Sequence, residues 1–112
     1  MDLCTFFVHG ERYGVPILTV EEIFRPLPVT PVPGCHPWIE GILSLRGQSA
    51  VVLDLRRLLP RSDSPAMIAT DGSRMILLEQ QETLSDAARE QGLEVDEEPL
   101  VLRVDHVGTM CA

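Results

Sequence analysis

Apolar and polar side chains alternate from the start of the chain. In "CTFFVHGERYGVPI", Cys4, Phe6 and Val8 fall on one face and Thr5, Phe7 and His9 on the other; the pattern breaks at Gly10 and resumes at Tyr13 and Val15. A period of two on both sides of a glycine predicts a β-hairpin. Pro16 cannot donate to a ladder, so the second strand belongs at an edge or a bulge there. In "ILTVEEIF" the apolar positions Ile17, Val20 and Ile23 recur every third residue. That spacing suits a short helical turn and a twisted extended segment equally.

The stretch "RPLPVTPVPGCHPW" holds five prolines, Pro26, Pro28, Pro31, Pro33 and Pro37. This is too many for a helix or a central strand and predicts an extended surface loop. Pro37 suits the first position of one helical turn that Gly41 would end. Ile42–Leu45 and Ala50–Leu55 read as strands, with Val51, Leu53 and Leu55 on one face and Gly47 as the reversal or bulge between them. "RMILLEQ" reads as a buried strand, and "LVLRVDHV" alternates with Leu100, Leu102 and Val104 on one side. Between these two, "TLSDAAREQG" predicts a short helix. Thr83 is its candidate N-cap with Asp86 three residues on, Leu84, Ala87, Ala88 and Gln91 share a side, and Gly92 is its stop. "EVDEEP" is too charged to pack and is expected in solvent. Internal repeats are absent, and strands at this spacing predict a mostly β fold of small barrels or a sandwich.

At 112 residues the chain fits one domain, 1–112, and is long enough to bury a core. Its longest apolar runs, "AVVL" and "MILL", fall far short of the ~20 residues that cross a bilayer. "MDLCTFF" lacks the basic region and cleavage site of a secretory signal. A cytoplasmic protein without membrane insertion is expected. Cys4, Cys35 and Cys111 are odd in number, widely spaced and without a CxxC pair, and read as reduced thiols. The net charge of −8 is uneven: residues 79–98 carry eight carboxylates against Arg89 alone, leaving the body near neutral. A phosphate backbone would be repelled, so nucleic acid is not an expected partner. The acidic stretch reads as a solvated insertion, or else as a recognition patch for a basic partner.

The motifs that spell an enzyme are missing: there is no GxSxG, phosphate-binding loop, GxGxxG, HExxH or DxDxDG. Cys35 and His36 are adjacent in the proline-rich loop and, with Cys4, His9, His106 or Cys111, contain enough soft ligands for a metal. Neighbouring residues seldom share one tetrahedral ion without strain, and no pair has finger spacing, so a loop without metal is the favoured reading. Trp38 either covers a core edge or anchors a partner. A small β-barrel ligand or metal sensor, with Cys35, His36 and Trp38 lining the site, is the alternative these residues allow.

Taken in order, "YGVPILTVEEIF", "VTPVP", "WIEGILSLRGQSAVVLDLRRLL" and "LVLRVDHV" resemble the CheW-like family, the coupling proteins and kinase domains of bacterial chemotaxis arrays. The V-x-E-I segment falls on Val20–Ile23, the T-x-V-P loop on Thr30–Pro33, and the L-R-G and D-L-R triplets within Gly41–Arg56. The likeness is dense over residues 4–59 and resumes weakly at Arg74–Leu78 and Leu100–Val107. It implies two small five-stranded SH3-like barrels, no catalytic residue and no cofactor. It also implies an adaptor that links a CheA-type histidine kinase to the cytoplasmic tips of chemoreceptors. The family positions fall on Val20, Glu22, Arg46 and Gly47, with Asp54 and Arg56 of the second triplet as further partner-binding candidates. An arginine fork can grip a carboxylate or carbonyls in two places, and glycine permits a positive φ or a close backbone approach.

The chain departs from the family at Ser44, where asparagine is usual, and at Ala50–Val51, which lacks a proline. Family members also run on past the V-D-x-V strand. The expectation is therefore an incomplete second barrel whose unpaired edges invite a second copy, by dimerisation or strand exchange, or else a divergent adaptor with a reduced second lobe. The acidic stretch 79–98 exceeds the family's usual connection.

Overall fold

The computed structural model describes residues 2–59 and 72–111. Strands β1 (Leu3–Val8) and β2 (Glu11–Pro16) form the expected hairpin, in register from Leu3 opposite Pro16 to Val8 opposite Glu11. His9 and Gly10 turn it with φ of 55° and 78°. Positive φ at both central residues is the type I′ geometry, whose twist matches that of the flanking strands. Pro16 ends the ladder on a border strand, as a missing donor requires.

Both readings of "ILTVEEIF" are realised in succession. Ile17–Thr19 make a 3-10 turn and Val20–Phe24 form β3. The three-residue spacing has a β origin: a register shift between Val20 and Glu22 inserts an extra residue, so Val20 and Ile23 both pack on the same core. After the proline-rich loop, β4 runs Ile39–Leu45 and β5 runs Gln48–Asp54. The helical turn expected at Pro37–Gly41 is therefore only a hydrogen-bonded turn, the Ile39 N–H donating to the His36 carbonyl at 3.0 Å, and Gly41 lies inside a strand. Glycine is needed at that point because a Cβ would sit 2.2 Å from the Thr30 carbonyl oxygen, where the loop bridges to Ile42. Leu55 does not close β5 but opens the short helix α1 (Leu55–Leu58), capped by the Asp54 carboxylate.

Strand β6 (Arg74–Leu78) is buried as expected. Helix α2 covers Asp86–Glu90, but Ser85, not Thr83, is its cap: the Ala88 N–H donates to Ser85 Oγ at 3.2 Å, while Thr83 Oγ1 accepts from the Gln80 N–H. Gly92 ends it as expected, with φ of 78° and the N–H groups of Gly92 and Leu93 closing back on Arg89 and Ala88. Strands β7 (Leu100–Val104) and β8 (His106–Cys111) complete the described chain.

Two sheets result, with strand orders β2-β1-β8 and β3-β6-β7-β5-β4. All neighbours are antiparallel except β5 and β7. The five-stranded sheet curls around Leu43, Ala50, Val52, Met75, Leu77 and Val101, and Phe24 and Leu45 from its two border strands reach the same cluster. Its outer face meets the three-stranded sheet across Phe6, Val8, Leu55, Ile76, Leu102 and Val104. Strands β5 and β7 are thus covered on both faces, which is why "AVVL" and "LVL" read as continuous apolar runs. The mostly β class holds, and the smaller sheet has three strands among the described residues.

Candidate functional site

The turn joining β4 to β5 consists of Arg46 and Gly47 alone, between the paired Leu45 and Gln48. Their φ angles are 49° and 79°, a second type I′ turn. Gly47 has nothing within 4 Å of where a Cβ would stand, so the turn angle alone requires glycine. Arg46 adopts the same left-handed region with a full side chain, at a cost of about 1–2 kcal/mol. The two I′ turns then part company. At the first, His9 is tied inward: its N–H donates to Asp105 Oδ2 at 2.9 Å, and its Nε2 lies 2.6 Å from the Arg56 carbonyl. At the second, the Arg46 side chain stays 68% exposed.

Two carboxylates orient that exposed fork. Arg46 Nη2 lies 2.5 Å from Glu22 Oε2, and Nη1 lies 3.9 Å from Glu21 Oε1. Both acids stand on β3, the opposite border of the curled sheet, so curling alone brings them to the β4–β5 turn. Pairs this exposed contribute only about 0–1 kcal/mol. A guanidinium carries five N–H donors, and only the bond to Glu22 is made among the described residues. The rest of the fork remains open to an incoming carboxylate or carbonyl. Beside it, Glu21, Leu45, Arg46, Gln48, Leu77 and Pro99 line a small cavity of about 60 Å³.

Val20 sits at the start of β3, half-buried against the core between the sheets. Asp54 and Arg56 lie elsewhere. Asp54 stands six positions along β5 from Gln48, or about 20 Å at strand rise. There Asp54 caps α1 by accepting the Arg56 N–H at 3.0 Å and pairs with Arg57 at 3.6 Å, while Arg56 Nε contacts Asp105 Oδ1 at 3.2 Å. The D-L-R triplet thus fastens α1 and the β7–β8 corner, and only Glu22, Arg46 and Gly47 of the six candidates form one exposed constellation.

The same end of the molecule holds a polar cleft of about 320 Å³ that the sequence did not announce, with Glu40, Arg103 and Asp105 among its walls. Arg103 grips Glu40 with both arms of its fork, Nε to Oε1 at 2.5 Å and Nη2 to Oε2 at 2.9 Å. Only the parallel register that sets Asp54 opposite Arg103 places these residues together.

The soft-ligand candidates with described side chains do not converge, and the side chain of Cys111 lies outside the description. Cys4 is buried in β1, where burial pushes its thiol pKa up, and Cys35 is exposed in the loop. His36 stacks on Trp38 at 4.4 Å between ring centroids, and His106 stacks on Phe7 at the same distance. Among the described residues, no three His, Cys, Asp or Glu side chains come together as a metal site. No helix among them is long and apolar enough to cross a membrane.

Residues 2–109 match the description of the CheW-like domain. The chain belongs to the CheW-like family. The chemotaxis protein CheW of Bacillus subtilis (strain 168) is 34% identical over 76 residues, covering 68% of this chain and 47% of that protein. The chemotaxis protein CheW of Treponema pallidum (strain Nichols) is 34% identical over 55 residues, 49% of this chain and 32% of that one. The chain therefore spans about half, or less, of the length of these relatives. In fold, it resembles the crystal structure of the scaffolding protein TtCheW from Thermoanaerobacter tengcongensis, with a TM-score of 0.74 and 24% identity over 98% of this chain and 60% of that one. Within this CheW-like chain, the L-R-G triplet is the exposed I′ turn and the D-L-R triplet is the strand-to-helix corner.

Proposed function

We propose that this chain is a non-catalytic, cytoplasmic chemotaxis adaptor that couples a CheA-type histidine kinase to the cytoplasmic tips of chemoreceptors. The observation that carries this reading is the arginine at the β4–β5 turn: it accepts a strained backbone, yet its guanidinium gains only exposed ion pairs in return. Strain kept at a surface position, where the fold obtains little from it, marks a residue kept for contact. Arg46 supplies the grip, Gly47 and Glu22 hold the fork, and Val20 shapes the border of β3 beside it. Asp54 and Arg56 act indirectly, by fixing the corner at the far end of β5. Family membership supports a scaffold that works through binding, as do the names of its relatives.

Arg46→Glu tests this. The variant is expected to fold with an unchanged circular dichroism spectrum and to lose capture of a purified CheA-type kinase or a receptor-tip fragment. Full retention of both captures would overturn the assignment, and loss of folding would return Arg46 to a purely structural role. The reading also includes a second copy of the chain pairing along a sheet border, since β2 and β8 flank the smaller sheet.

A further inference from the structure

The acidic stretch 79–98 has no part in the adaptor reading, yet it is not a loose insertion. Its return limb is strapped to the exit of β6: the Val95 N–H donates to Gln81 Oε1 at 3.0 Å, the Gln81 N–H to the Asp96 carbonyl at 3.1 Å, and Gln80 Nε2 to the Glu97 carbonyl at 3.1 Å. The Glu79 N–H donates to the Thr19 carbonyl at 2.7 Å, and the Val51 N–H to the Pro99 carbonyl at 3.1 Å, so both ends of the stretch are pinned to the sheets. "EVDEEP" was expected wholly in solvent; instead its backbone is fixed and Val95 is half-buried, while the carboxylates of Glu94, Asp96 and Glu98 remain exposed.

This fixed limb forms one wall of a groove of about 590 Å³. Val15, Pro16, Leu78, Leu93, Val95 and Leu100 supply an apolar lining, while Glu79, Glu94, Asp96 and Glu98 stand among them, with no basic residue in the lining among the described residues. Among the described residues, none of the eight carboxylates between 79 and 98 is ion-paired. Arg89, the one cation of the stretch, is turned to the Gln81 carbonyl at 2.7 Å. We infer that this groove docks a basic amphipathic segment of a partner protein, its apolar side chains seated among the aliphatic walls and its lysines or arginines answered by Glu94, Asp96 and Glu98. An acidic rim without internal cations attracts such a segment and repels an acidic one, and a prestrapped wall spares the ordering cost of binding.

The test uses the full chain and a fluorescein-labelled synthetic peptide of leucine and lysine, followed by fluorescence anisotropy. Saturable binding is expected, weakened by added salt and by roughly tenfold or more in the triple variant Glu94→Gln, Asp96→Asn, Glu98→Gln. A twin peptide with glutamate for every lysine should not bind, and one with serine for every leucine should bind at least roughly tenfold more weakly. Equal binding of the serine twin would reduce the effect to bulk charge attraction and overturn the groove. Unchanged affinity of the triple variant, or absence of any binding, would do the same. The triple variant is expected to keep the kinase capture that Arg46→Glu loses, so the groove and the Arg46 reading stand or fall separately.

Discussion

Replacing Arg46 with asparagine separates the two tasks of the β4–β5 turn, because asparagine suits the backbone and lacks the fork. Arginine at φ of 49° costs about 1–2 kcal/mol relative to an ordinary conformation. Asparagine visits this region more readily, and Asn-Gly is a favoured pair for a type I′ turn. Against that gain stands the loss of the contacts to Glu22 and Glu21. With the Arg46 side chain 68% exposed and that of Glu22 39% exposed, these are worth only about 0–1 kcal/mol. The variant should therefore equal the parent or exceed its stability by up to about 2 kcal/mol. Urea unfolding followed by far-ultraviolet circular dichroism would read this as an equal or higher midpoint with an unchanged slope. Kinase capture should be lost in the same preparation, since an amide cannot reproduce a two-armed cation. A fall in stability of more than about 1 kcal/mol would refute the reasoning. The contact from Arg46 to β3 would then be the clasp that keeps the sheet curled, and strain at the turn would be offset by folding itself.

Other consequences are open to simpler measurements. Gly41→Ala should destabilise by at least about 2 kcal/mol in the same urea assay, because the added methyl meets the Thr30 carbonyl oxygen at 2.2 Å and that loop is backbone that cannot swing away. In the native protein at pH 8, a thiol reagent should modify Cys35 well before Cys4; burial raises the Cys4 pKa, so at any neutral or mildly alkaline pH its thiolate fraction lies below that of an open thiol. Mass spectrometry of the peptides reads the order, and equal rates would contradict the burial of β1. Light scattering should find a dimer at concentrations where a border strand pairs with a second copy; a monomer at all concentrations would remove that part of the reading.

Much of the architecture was legible because strand periodicity survives in the sequence. Cys4, Phe6 and Val8 announce the buried face of β1, and all three are essentially inaccessible. The three-residue spacing of Ile17, Val20 and Ile23 could not be assigned, because a bulge shifts the strand period locally and imitates a helical one. The mistaken cap at Thr83 has a similarly local cause: Thr83 and Ser85 are both good caps, and the choice depends on Thr83 serving the turn at Gln80 and Glu79. At the proposed contact surface, Arg46 and Gly47 were readable as a turn, but the assignment of turning to glycine alone was too simple, since arginine shares the left-handed geometry. The partnership of Arg46 with Glu22 depends on the curl of the sheet, and the placement of Asp54 opposite Arg103 depends on a parallel pairing. Neither is written in any local pattern, because both depend on how distant strands are ordered.

Strand β1 also has a temporal consequence. Its second partner is β8, with Phe6 opposite Val107, so β1 waits until the whole stretch between those two residues has been made. At synthesis rates of about 5–20 residues per second, that wait is roughly 5–20 seconds. Throughout it, the N-terminal hairpin exposes an unsatisfied row of amides and carbonyls beside the side chains of Phe6 and Val8. During that wait the row is a template on which a neighbouring polypeptide can pair.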